Sequence, residues 1–365
     1  MNTRNDFLMH KTGMTAFKQG VLAALCVPSL IAGEARFRPE LIEFIFEQAP
    51  FHECHASTIL ELPSGELLAA WFGGEREGDK SVQIWLSRKP ASGAWSSPEA
   101  MTSFAAVPCW NPVLFRDAAN RVWLFFKVGP DEMSWVGAYR TSDDRGKNWS
   151  APDYLPAGLL GPIRNKPILL SDGTILCGTS REAGMRRHDT HEEPYWSWAA
   201  WVEMSQDGGK SWTIHGPIAY PGVNYGVIQP TLWVTQSGQV RMLLRSTRKI
   251  GFICESSSSD GGKTWGPARS TPLPNPDSGI DAVKMRDGRV ALVYNHSQTA
   301  RSPLNLAISN DDGKTWGAPK VLEEGPGEFS YPAIIQSADG RLHITYTWKR
   351  RRIKHVVVDP NDLGM

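Results

Sequence analysis

The chain has 365 residues, with 39 Lys and Arg against 38 Asp and Glu, a formal net charge of +1. So even a balance gives no electrostatic reason to expect nucleic acid or an anionic membrane surface as a partner. Fifteen Trp, 34 Gly and 26 Pro suit many short strands joined by tight turns, and the length suffices for one large core.

The first 35 residues stand apart from the rest. Lys11 and Lys18 precede the apolar run GVLAALCVPSLIAGEA, which ends in small residues. This is the layout of a secretory signal, with translation from Met1 or Met14 and cleavage between Ala32 and Ala35. The run is too short for a membrane span. The processed chain is therefore expected to be periplasmic or secreted, without a membrane anchor, and residues 36–365 to form a single domain. Cys54, Cys109, Cys177 and Cys254 show no CxxC spacing and read as buried strand residues.

Six copies of one hairpin follow in order: STILELPSGELLAAWF, PVLFRDAANRVWLFF, PILLSDGTILCGTS, PTLWVTQSGQVRMLLRS, AVKMRDGRVALVYN and PAIIQSADGRLHITYT. Each is an apolar run, a turn holding Gly, Asn or Asp, and a second apolar run. Among them the pattern S-x-D-x-G-x-x-W recurs, from Ser142, Ser205, Ser258 and Ser309, at separations of 63, 53 and 51 residues. A degenerate copy, SRKPASGAW from Ser87 to Trp95, has lost the Asp. The Asp can accept backbone N–H bonds within a turn, the Gly takes the positive φ, and the Trp is expected to be largely buried between neighbouring units. Repetition at a period near 50 points to a propeller. After the sixth hairpin only RIKHVVVD remains, so its outer strand is best supplied by LIEFIFEQ at Leu41–Gln48. The expected fold is all-β, a six-bladed β-propeller of four-stranded blades, closed by pairing those two segments.

Strand order alone sorts the loops. The repeated turns share one rim with the hairpin turns, and the crossovers share the other, where a ligand site would be built. Residues just ahead of each innermost strand form a ring on that rim: His55, Asn111, Lys166, Gln229, Asp281 and Tyr331. A second ring, after each second strand, includes Asp79, Lys127, Arg181 with Glu182, Arg245 and Lys349, with Arg301 nearby. The run Lys349–Arg352 reads as a solvated strand edge.

The repeated turn resembles the Asp-box of the sialidase (neuraminidase) superfamily, and the resemblance covers roughly residues 41 to 358. It implies a propeller enzyme that grips a substrate carboxylate with three arginines and uses a tyrosine nucleophile, an activating glutamate and an aspartate as acid/base. On this chain Tyr331, followed by a strand and Asp339-Gly340, looks like the nucleophile. Arg245 looks like the second arginine, Arg301 like the third, and Asp79 like the acid/base, protonated if partly buried. Two positions depart from the pattern. His55 stands where the first arginine is found, and Gln229 stands where the glutamate is found; an amide cannot accept a proton at neutral pH. Asp281, Glu182 or His55 would then have to replace that glutamate.

The resemblance implies a glycoside hydrolase acting on a terminal sialic- or uronic-acid-type sugar, with an acidic glycan as partner. Tyr331, Asp79 and His55 would be catalytic, while Arg245, Arg301, Gln229, Asp281, Asn111, Lys166 and Arg181 bind substrate. A lyase for uronate polysaccharide, with His55 and Tyr331 as base and acid, and a non-catalytic carbohydrate-binding propeller are the alternatives. No nucleotide loop is present, no cofactor is expected, and the His-rich stretch RRHDTHEEPYW from Arg186 lacks metal-ligand spacing and reads as a lid.

Overall fold

The computed structural model describes residues 37–104, 106–184 and 196–363. The expected export signal lies outside them, as does the His-rich stretch as far as Tyr195. The described strands form six four-stranded antiparallel sheets, five of them spanning residues 53–100, 109–154, 168–218, 227–274 and 281–323. These are blades 1 to 5. Blade 6 takes three strands from the end of the chain, β22 (Phe329–Gln336), β23 (Leu342–Trp348) and β24 (Arg352–Val358). Its fourth is β1 (Leu41–Phe44), paired with β24 in the register Leu41 to Val357.

The closing strand is shorter than its sequence pattern. Pairing stops at Phe44, although Ile45 still donates to the Ile353 carbonyl at 2.9 Å and both Ile45 and Phe46 are buried. Glu43 ties the closure into blade 1. It lies 2.9 Å from His355 Nδ1, accepts from Trp95 Nε1 at 2.9 Å, and pairs with Lys89. Burial pushes the Glu43 carboxyl up, but His355 and Lys89 outweigh it and bring it to about 2.

Apolar clusters fill every seam between neighbouring blades. Ala70, Leu86, Leu114 and Phe126 join blades 1 and 2; Phe115 and Trp123 meet Ile175 and Cys177 between blades 2 and 3. Later seams repeat the device, with Leu176 against Met242, Trp233 against Leu292, Val293 against Ile344, and finally Ile353 against Trp71. The inner strands, covered on both faces, accordingly read as continuous apolar runs; LLAAWFGG and VWLFFKV are buried throughout. All four described cysteines are buried and free. Among the described residues no helix is long and apolar enough to cross a membrane.

The four repeated turns share one construction. In the first, Asp144 accepts the Asn148 N–H at 2.8 Å and the Ser142 hydroxyl at 2.7 Å, while Ser142 Oγ accepts the Gly146 N–H at 2.8 Å. Asp207, Asp260 and Asp311 repeat these bonds to their own turns. The glycine reaches back to the preceding blade. A Cβ on Gly146, Gly209, Gly262 or Gly313, all at positive φ, would sit 2.9, 2.8, 2.4 or 2.7 Å from Leu68, Trp123, Leu176 or Trp233. The motif tryptophans are half-buried, not largely buried as expected: each packs against the edge of a seam cluster, and Trp149, Trp212 and Trp265 donate their indole N–H to the glycine carbonyl of their own turn.

Adjacent glycines separate the two constraints. Gly208 (φ +71°) faces open space, whereas Gly209 (φ +88°) faces Trp123. Gly208→Ala should cost about 1 kcal/mol, for backbone strain alone. Gly209→Ala should cost about 1–3 kcal/mol beyond that, for overpacking the seam. Urea unfolding of the two variants measures the difference.

Candidate active site

Of the residues expected just ahead of the innermost strands, His55, Asn111, Gln229, Asp281 and Tyr331 lie inside them, and only Lys166 precedes its strand. In β2 (Glu53–Glu61), β6 (Cys109–Arg116), β14 (Val227–Val234) and β22 the register slips by one residue, between His55 and Thr58, Trp110 and Val113, Ile228 and Thr231, and Ser330 and Ala333. At each slip one non-glycine residue takes positive φ: Ala56 (58°), Asn111 (39°), Gln229 (54°) and Tyr331 (51°). Three of the four precede Pro112, Pro230 and Pro332, whose missing N–H has no place in a ladder. A bulge of this kind re-aims a side chain. Here Asn111, Gln229 and Tyr331 end on the wall of one cavity of about 600 Å³, which they share with Arg245, Arg301, Arg350 and Glu182.

Tyr331 sits at the centre of a cationic group. Its hydroxyl oxygen accepts from Arg245 Nη1 at 2.5 Å and lies 3.4 Å from Gln229 Nε2, while Gln229 Oε1 accepts from the same Arg245 nitrogen at 3.2 Å. The guanidinium carbons of Arg164, Arg301 and Arg245 stand 5.2, 5.4 and 5.7 Å from the ring centre. His55 packs against the ring at 4.0 Å between centroids, 1% exposed, with Nδ1 2.9 Å from Thr347 Oγ1. Burial, and then Arg350, Arg301, Arg164 and Arg245, hold its imidazole well below the usual range, so His55 is neutral.

Internal carboxylates fix the arginines. Asp277 takes Arg245 Nε at 2.8 Å, and its carbonyl takes Arg301 Nη2 at 3.0 Å. Glu328 receives Arg301 Nη1 at 3.1 Å, Arg350 Nε at 2.8 Å and the Ser330 hydroxyl at 2.6 Å. Arg350 also pairs with Glu77. Burial alone would raise the Glu328 carboxyl, but Arg301 and Arg350 hold it below its ordinary value. The opposite influence acts on Glu182. Burial, and then the negative charge of Glu132, push it up to about 8 against the pull of Arg245. Trp110, Trp135, Trp196, Trp198 and Tyr225 complete the cavity as an aromatic wall.

Several residues singled out in the sequence stand elsewhere. Asp79 is half-exposed and outside the cavity lining. Its carboxylate accepts from Ser81 N at 2.8 Å and Ser81 Oγ at 2.6 Å, and these bonds lower it, so the expected protonated acid is replaced by a turn carboxylate. Its neighbours Arg76, Glu77 and Gly78 do line the cavity. Lys166 and Asp281 bond each other at 2.8 Å, and Asp281 also accepts from Thr231 Oγ1 and Ile334 N, riveting blades 3 to 6 near the axis. Asp281 is thereby committed, and no bond joins it to Tyr331. Arg181 donates to the Gly158 carbonyl and stacks on Trp201 beside a smaller hollow.

Three residues were missed. Arg350 belonged to a run read as solvated edge, but Lys349 and Arg350 adopt φ 53° and 59° and turn the chain into the cavity. Glu328 precedes its strand by one residue. Arg164, two residues ahead of the chosen Lys166, is 1% exposed and donates to the Pro332 carbonyl at 2.6 Å, supporting the bulge that carries Tyr331. Among the described residues no group of three His, Cys, Asp or Glu side chains is placed to hold a metal ion.

This architecture has known counterparts. The chain belongs to the BNR repeat-like domain family, whose model matches residues 65–344. A sialidase of Micromonospora viridifaciens is 28% identical over 152 residues, 39% of this chain and 22% of that one. A sialidase of Bacteroides fragilis is 28% identical over 290 residues, 67% of this chain and 50% of that one. The chain thus spans half or less of the length of these relatives. A mutant of the NanB sialidase from Streptococcus pneumoniae superimposes with a TM-score of 0.72 at 14% identity, over 88% of this chain and 71% of that one. The fold is therefore a sialidase-like propeller.

Arg164→Met should leave the Pro332 carbonyl without its donor and lower unfolding stability by about 1–3 kcal/mol. Urea denaturation reads the loss. An unchanged midpoint would show that the bulge holds Tyr331 without Arg164.

Proposed function

We propose that the chain is a glycoside hydrolase that releases a terminal sugar bearing a carboxylate, of sialic- or uronic-acid type, from a glycan, with Tyr331 as nucleophile. The observation that carries this reading is the Tyr331 hydroxyl bound by Arg245 at 2.5 Å in a cavity that Arg301 and Arg350 also line. The names of the relatives agree with it. Guanidinium groups suit a carboxylate because their N–H forks match its two oxygens. Arg350, on blade 6 beside the strand of His55, supplies the third guanidinium of the cavity wall.

In this mechanism Arg301, Arg350 and the remaining N–H groups of Arg245 hold the sugar carboxylate and set the anomeric carbon over Tyr331. Tyr331 releases its proton to water, and the oxyanion, held by Arg245, bonds to the anomeric carbon, giving a glycosyl–tyrosine that water opens with overall retention. Gln229 cannot take a proton, but its oxygen orients Arg245 and its amide faces the phenol. The lyase reading asks His55 to remove a substrate proton; covered by Tyr331 and 1% exposed, it has no access to one.

Tyr331→Phe keeps the ring and removes only the hydroxyl. It should lower kcat by roughly 10³-fold or more with an unchanged melting temperature. The assay is a panel of sialosides and uronate glycans, followed by reducing ends and by unsaturated-uronate absorbance together. Full activity in the variant would exclude Tyr331 as nucleophile, absorbance of unsaturated product would favour the lyase, and binding without turnover would favour a carbohydrate-binding propeller.

A further inference from the structure

We propose that Glu182, and not Asp79, protonates the departing glycosidic oxygen, an assignment that rests on the glycosidase reading above. Glu182 lies near the end of β11 (Ile175–Gly184), in register with Trp198 of β12 (Trp196–Ser205). Both side chains line the cavity that holds Tyr331. Arg245 spans the space between Trp198 and Tyr331, its guanidinium 5.2 Å from the Trp198 ring and its Nη1 on the Tyr331 oxygen. A sugar ring seated on Arg245 therefore meets the phenol oxygen on one side and the Glu182 carboxyl on another. The Asp79 carboxylate offers no such approach, because it is turned onto Ser81 outside the lining.

Surroundings give the two carboxyls opposite character. Glu182 is half-buried beside Trp198, to which it is hydrogen-bonded, with burial first and then Glu132 and Asp277 opposing its charge and Arg245 favouring it. The balance raises it to about 8, so it is a carboxylic acid with a proton to give at neutral pH. Asp79 is lowered and ionised. In the first step the Glu182 proton passes to the glycosidic oxygen as the bond from that oxygen to the anomeric carbon breaks and the Tyr331 oxygen bonds to the same carbon. The aglycone leaves as a neutral alcohol. In the second step the Glu182 carboxylate takes a proton from water, the water oxygen bonds to the anomeric carbon, and Tyr331 leaves as its oxyanion. Both groups regain their starting states.

The test uses the full chain and one acidic sugar carrying either a nitrophenyl aglycone, which departs without a proton, or a simple alkyl aglycone, which does not. For wild type, kcat/KM on the alkyl glycoside should fall as pH rises through about 8, while the nitrophenyl glycoside shows no such limb. Glu182→Gln should lower kcat/KM at least ~10²-fold more for the alkyl than for the nitrophenyl substrate, and Asp79→Asn should leave the ratio of the two at its wild-type value. The same limb on both aglycones, an unaltered ratio in Glu182→Gln, or the selective loss in Asp79→Asn would each overturn the assignment. The wild-type profiles decide the matter even where a variant fails to fold. If wild type cleaves neither aglycone although it binds acidic sugars, the glycosidase reading itself falls, and the donor with it.

Discussion

Four innermost strands break their hydrogen-bond ladders beside the cavity, and the cavity depends on those breaks. A strand with an unbroken pleat would alternate its side chains between the two neighbouring blades and send none along the axis. The slip at Ala56, Asn111, Gln229 and Tyr331 turns one residue of each strand out of that alternation. Non-glycine residues at positive φ cost on the order of 1–3 kcal/mol each and persist only where the surroundings over-determine them. Here the surroundings are the six packed seams, the proline after three of the bulges, and the Arg164 bond to Pro332.

That rigidity lets the cavity hold like charges close together. Arg164, Arg245, Arg301 and Arg350 surround one tyrosine, a grouping that would repel itself apart in a pliable loop. Asp277 offsets it by binding Arg245 through Nε and Nη2, and Glu328 by binding Arg301 Nη1 and Arg350 Nε. Burial keeps both Glu182 and His55 uncharged, the arginines adding to the effect at His55 while Arg245 opposes it at Glu182.

Much of this was legible in the chain. Six repeated hairpins set the blade count, and the S-x-D-x-G-x-x-W turn marked the repeat, because its Asp, Gly and Ser each make a bond or take a φ that closes the turn. The closure by Leu41 was legible because a sixth hairpin lacked its outer strand. Tyr331, Arg245, Arg301, Gln229 and Asn111 were brought together as the loop order implied. What stayed hidden follows from the bulges and from local turns. A slipped register re-aims Tyr331 and Gln229 in a way local pattern cannot show, Arg164 is recognisable only through its bond to the Tyr331 bulge, and Arg350 enters the cavity through a positive-φ turn that a run of basic residues does not announce. Asp79 fits its motif in sequence, yet the nearby Ser81 captures its carboxylate. A local hydrogen bond of that kind outweighs position in the chain.

The central claim is that Tyr331 forms a bond to the sugar, and trapping that bond tests it most directly. A glycosyl fluoride of the acidic sugar, with a second fluorine beside the anomeric carbon, slows breakdown of a covalent intermediate more than its formation. Intact-mass measurement after incubation should show one added glycosyl group, and peptide mapping should place it on Tyr331. An adduct on any other residue, or steady turnover of the natural glycoside with no adduct at all, would contradict the account.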